Sequence, residues 1–185
     1  MNWTHLETSS HQDRVIAHVI GATLLGHFIL DETAFLLLDI GFVWNIYLDG
    51  EMGLLPHPVA ISELTITDES KNAIQTDVDR LLAGYTSGEL QLVKSFGVGV
   101  PITEVSLFQN SDGRRINIDC ERGSVIIETS IHKGEVKIMA NDESELAETV
   151  REEAEFLKDK LREQLGREPT DEEVNEWLRE HTESY

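Results

Sequence analysis

The sequence predicts an α+β fold: a buried N-terminal helix, an antiparallel β-meander sheet and two acidic C-terminal helices. Three observations carry this. Residues 14–56 are mostly apolar yet are interrupted by His18, His27, Asp31, Glu32, Asp39 and Asn45, so no run reaches the ~18 apolar residues of a membrane span. Four β runs between residues 104 and 139 are joined by short links of three to five residues, each with a glycine, and links that short join antiparallel neighbours. After residue 141 the chain turns acidic and its leucines recur at helical spacing.

Taken in order, Ser9 and Ser10 are candidate N-caps and Asp13 suits the first turn of a helix. The apolar residues Val15, Ile16, Val19, Ile20, Leu24 and Phe28 predict a helix from Gln12 to Leu30, packed on more than one side. Gly21 and Gly26 inside it imply close approach of another backbone. Asp31-Glu32-Thr33 reads as a turn, followed by strands over Ala34–Asp39 and Phe42–Leu48. In the second, Phe42, Trp44, Ile46 and Leu48 form the expected core face, and Asn45 marks the polar one. Asp49-Gly50 is a tight turn. Pro56 and Pro58 keep the next segment irregular or on a sheet edge. Val59–Thr67 reads as a strand or a short helix, with strand favoured. A helix then opens at Asp68 or Ser70, carries Ala73, Ile74, Val78, Leu81 and Leu82, and stops at Gly84.

Leu90–Lys94 is a short strand. The meander follows: Glu104–Gln109, Arg115–Cys120, Ser124–Ile131 and Glu135–Met139. Ile116, Ile118 and Cys120 share one face, as do Val125, Ile127, Thr129 and Ile131. In the tail, Asp142 with Glu145 and Thr170 with Glu173 have capping-box spacing. Leu146, Val150, Ala154, Leu157, Leu161 and Leu165 form a stripe, Gly166 stops it, and Val174, Trp177, Leu178 and His181 edge the last helix. Two parts are expected: a core over residues 1–141 and an acidic helical extension over 142–185. The extension packs either on the core or on a partner.

The net charge is −20. Residues 142–185 hold 16 acidic and 6 basic residues, so less than a quarter of the chain carries half of the excess. Such a field repels phosphate backbones, which excludes nucleic acid as the expected partner. Solubility or a salt-adapted source also accounts for it. The single Cys120 and the lack of a basic then apolar leader point to a reducing cytoplasm. No membrane segment and no cofactor motif stand out: there is no GK[ST] triplet, no strand-bound GxGxxG and no GxSxG.

The phrase Leu165-Gly166-Arg167-Glu168-Pro169-Thr170-Asp171-Glu172-Glu173-Val174 is similar to one common in helical regions of bacterial sigma factors, and a bacterial source is expected. The likeness spans about ten residues and follows from the grammar by which one helix stops and the next starts. The helix that follows it is acidic, so DNA recognition is not carried over.

Two functional readings remain. The first is a non-enzymatic interaction or regulatory module that self-associates, for instance as a homodimer, or binds a protein partner. Its expected contact residues are Leu157, Leu161, Trp177 and Leu178. The second is a small-molecule or metal-binding domain, or an enzyme, using Asp39, Asp49, Glu51 and His57. Carboxylates and an imidazole near a strand end suit a divalent cation or acid–base work, whereas turn chemistry also explains Asp49. Asp39 within LLLDIG is either a buried carboxyl with a raised pKa or a turn residue. Cys120 reads as an inert buried thiol. His11 and His18 share a helix face without the further ligands a metal site needs.

Overall fold

A computed structural model of the chain describes residues 2–85, 89–96, 101–142 and 155–182. It holds both helices and antiparallel sheets, an α+β fold. The chain divides into two compact units, Met1–Asn141 and Asp142–Tyr185.

The first unit contains two five-stranded sheets. After β1 (Thr4–His5) comes α1 (Ser10–Val19), then a run of antiparallel hairpins: β2 (Leu24–Leu30), β3 (Thr33–Leu38), β4 (Phe42–Ile46) and β5 (Met52–Pro56). Two helices follow, α2 (His57–Ser62) and α3 (Asp68–Leu82), and then β6 (Lys94–Ser95). The meander is β7 (Ile102–Gln109), β8 (Gly113–Cys120), β9 (Gly123–Ser130) and β10 (Glu135–Asp142). One sheet runs β1-β7-β8-β9-β10 and the other β5-β4-β3-β2-β6.

The apolar stretch becomes the central layer. Ala34, Leu36, Leu38, Trp44 and Ile46 face the meander's Leu107, Ile116, Ile118 and Ile127 and the α1 residues Val15 and Val19. Phe35, Leu37 and Val43 face the other way, onto Ala60, Ile61, Ile74, Val78 and Leu81 of α2 and α3. All six residues of β3 are therefore buried, which explains a continuous apolar run where a half-buried strand would alternate. The same arrangement corrects the expectation for Asn45. Its face is covered by α2 and α3, Asn45 is 7% exposed, and its Oδ1 has no hydrogen-bond partner among the described residues.

The helix expected over Gln12–Leu30 ends at Val19, and Leu24–Leu30 is a strand. Ser9 caps α1 in a capping box with Gln12, and Gly21, at φ +84°, turns the chain out of it. Only Gln12, Val15 and Val19 of α1 are buried, so it packs on one side and not several. Apolar residues flank both faces of β2, and that mimics a helix buried all round. Gly26 does meet another backbone, but across a sheet: a Cβ there would lie 2.8 Å from Lys94 O and 2.7 Å from Leu81 Cδ1. Residues 57–62, partly read as strand, form α2, with Pro58 in its first turn.

The meander matches expectation in register. Ile116, Ile118, Val125 and Ile127 are buried and Arg115, Asp119 and Glu128 sit on the other face. Asp142 closes β10, and the start of the helix it was expected to cap lies outside the described residues. Glu145, Leu146, Val150 and Ala154 lie outside the described residues. The second unit contains a helix over residues 155–165, α4, and α5 (Asp171–Thr182). No helix of the described residues is long and apolar enough to cross a membrane.

Candidate functional site

Strand geometry separates the residues that lie close in sequence. In the β4–β5 hairpin, Ile46 pairs with Met52 and Phe42 with Pro56. Asp49 and Glu51 therefore occupy the turn at one end. His57 lies at the other, where its N–H donates to Gly41 O at 3.1 Å. Six residue steps at ~3.3 Å each place Glu51 and His57 roughly 20 Å apart. Asp39 shares the His57 end. It is exposed, its Oδ1 accepts the Thr23 N–H at 2.8 Å, and its own N–H donates to Thr23 O at 3.0 Å. Those bonds are those of a turn carboxylate. His57 Nδ1 lies 3.3 Å from Gln75 Nε2. Asp39, Asp49, Glu51 and His57 thus do not form one cluster.

Asp49 and Glu51 instead join residues the sequence placed elsewhere. With Asp31, Glu32, Thr33, Tyr47, Leu48 and Ile131 they line an open depression of about 400 Å³. Turns from both sheets build it. Asp49 Oδ1 accepts the Glu51 N–H at 3.0 Å, which holds that turn. Asp31 and Glu32 form a two-residue link with φ of +46° and +61°, a conformation unusual for residues with a Cβ. Tyr47 and Ile131 are 43% and 46% exposed, so the depression is apolar as well as acidic. Among the described residues no group of three His, Cys, Asp or Glu is placed to hold a metal ion.

A third group went unread in the sequence because its members are far apart in the chain, in the link before β8 and at the end of β9 and just after it. Ser130 Oγ donates to Asp112 Oδ2 at 2.6 Å, and the His132 imidazole lies 3.9 Å from Asp112 Oδ1. The bond from Ser130 holds the Asp112 carboxyl below its ordinary range, and the His132 N–H and the charges of His132 and Lys133 add to this. A carboxylate so stabilised is a poor base, and here it stands where an activating imidazole would have to be. The group locks two turns together. Nearby, Arg115 lies 4.6 Å from the Trp3 ring centroid and donates through Nε to Glu128 at 2.8 Å.

Cys120 lines a cavity of about 20 Å³ with Leu24, Phe96 and Val125, room for one water. Burial pushes its thiol pKa up, and Asp119 adds to this, so it is a weak nucleophile.

The second unit offers an apolar surface. Gly166, at φ +66°, ends α4, and Thr170 opens α5. The Thr170 N–H donates to Glu173 Oε2 at 2.9 Å and the Glu173 N–H to Thr170 Oγ1 at 3.4 Å, the expected capping box. Arg167 grips the same carboxylate at 3.0 and 2.6 Å and holds its pKa at about 2. Leu161 and Val174 are buried. Leu161, Leu165 and Trp177, with Glu173 and Glu176, line an open groove of about 210 Å³. Phe156 is 61% and Leu165 43% exposed, while Leu157 and Trp177 are half-buried. The Leu178 side chain lies outside those described.

Compared with protein-family models, curated proteins and solved structures, the chain matches none.

Proposed function

We propose that this chain is a non-enzymatic interaction module that meets a protein partner through its C-terminal helical hairpin, with Leu157, Leu161, Trp177 and Leu178 among the contact residues. The observation that supports this is the groove floored by Leu161, Leu165 and Trp177; Phe156 is exposed elsewhere on α4. Among the described residues of this unit Leu161 and Val174 are buried, and two helices with so small an apolar seam gain little from packing on each other. Covering Leu165 stabilises it further, at about 25 cal/mol per Å² of apolar surface removed from water. Aromatic and aliphatic anchors in a shallow groove are the usual centre of such contacts.

The test compares the full chain with a Phe156→Glu, Leu165→Glu variant by size-exclusion chromatography with light scattering and by affinity capture. Both positions are exposed, so the fold tolerates the change. The parent is expected to form a complex, with a second copy or another protein, that the variant loses. A parent that stays monomeric and captures nothing the variant does not also capture overturns the reading.

A further inference from the structure

We propose that the groove between α4 and α5 receives an amphipathic helix whose polar face is basic, and not a second copy of this chain. This rests on the reading of the hairpin as a binding surface and adds the chemistry of the occupant.

Shape comes first. Leu161 and Leu165 lie four residues apart on α4 and so share a face, and Trp177 supplies the opposite wall. An apolar slot between two helices accepts side chains spaced by helical turns, as an incoming helix presents them.

Charge then selects among helices. Residues 155–182 hold nine acidic and five basic side chains. Three of the five are already paired within the hairpin: Lys158 with Asp171 at 3.5 Å, Arg162 with Asp159 at 3.3 Å and also with Glu168, and Arg167 with Glu173. Of the two carboxylates lining the groove, Glu173 is already held by Arg167, and Glu176 is left to face an occupant. An occupant must therefore bring its own cations. A second copy brings the same acidic excess, in a chain of net charge −20, and sets like charges against each other. A helix with Leu on one face and Lys or Arg on the other reverses that sign.

The experiment titrates the full chain with two synthetic helices of about five turns. They share one leucine face and differ only in having Lys or Glu on the polar face. Binding is read by calorimetry at low and high salt, for the parent and for Leu165→Gln, Glu176→Gln, two exposed positions outside the capping box. The Lys-faced helix is expected to bind, to weaken as salt screens the carboxylates, and to lose about tenfold in affinity against the double variant. The Glu-faced helix is expected not to bind. Absence of binding by the Lys-faced helix overturns the proposal, as does equal binding by both helices. Unchanged affinity in the double variant overturns it too, because attraction would then be diffuse. A homodimer formed through the hairpin overturns this proposal and leaves the interaction-module reading intact.

Discussion

The Asp77 carboxylate, on α3, accepts the backbone N–H of Val93 at 2.9 Å. The same group takes the N–H of Leu92 at 2.7 Å and that of Gln91 at 3.0 Å. Asp77 is fully buried. One side chain thereby orders the approach to β6, a strand of two residues that pairs with Gly26 and His27. Backbone donors that lose such a partner bear the full cost of desolvation.

Asp77→Ala is therefore expected to lower stability by about 3 kcal/mol or more, the cost of orphaned donors to a charged acceptor. Asp77→Asn, which keeps one oxygen acceptor, is expected to lose less. Urea unfolding followed through the fluorescence of the buried Trp44 measures both. A loss below about 0.5 kcal/mol for the alanine variant, the range of an ordinary surface change, removes the argument.

The Asp31-Glu32 link predicts a gain. Both residues hold positive φ, which costs a side-chain-bearing residue about 1 kcal/mol relative to glycine. Asn-Gly is the pair that primed hairpin turns favour. Asp31→Asn with Glu32→Gly is expected to raise stability by about 1 kcal/mol, read as a higher urea midpoint at unchanged slope. An unchanged or lowered midpoint contradicts the turn geometry.

His27 makes stability depend on pH. Burial, with the charge of Lys94 beside it, lowers its pKa to about 4 from 6.5. Its Nδ1 is buried without a partner among the described residues, and its ring lies 4.4 Å from that of Phe96. Between pH 4 and 6.5 the unfolded chain binds the proton and the folded chain does not. Stability contributed here is complete above pH 6.5 and falls as pH drops toward 4. His27→Gln is expected to flatten the parent's stability profile across that window, where the difference between the two proteins isolates the imidazole. Parallel profiles refute it.

Much of this fold was legible. The meander's links force antiparallel neighbours, and its alternation names the buried face at Ile116, Ile118 and Ile127. The Thr170–Glu173 capping box is local, so spacing alone reveals it. The stretch from Leu24 to Leu30 was not legible, because a strand with apolar residues on both faces has no clear period. The candidate cluster failed for a related reason. Asp49 and His57 are eight residues apart, which says nothing of whether a strand or a loop lies between them, and β5 holds them at opposite ends. Asp77 was invisible as a buried group, since its partners are backbone N–H groups 14 to 16 residues away.

By itself the sequence determined the class of the fold, the antiparallel order of the meander, the helix stops at Gly84 and Gly166, and the acidic excess. All of these follow from short-range turn chemistry, periodicity or a count of charges. Only the tertiary structure decided that β3 is covered on both sides, that Asn45 and Asp77 are interior, and that Asp31, Glu32, Asp49 and Glu51 meet round one depression. Which residues become neighbours depends on how sheets and helices stack, and stacking is set by the packing of whole faces, to which no single stretch of chain holds the key.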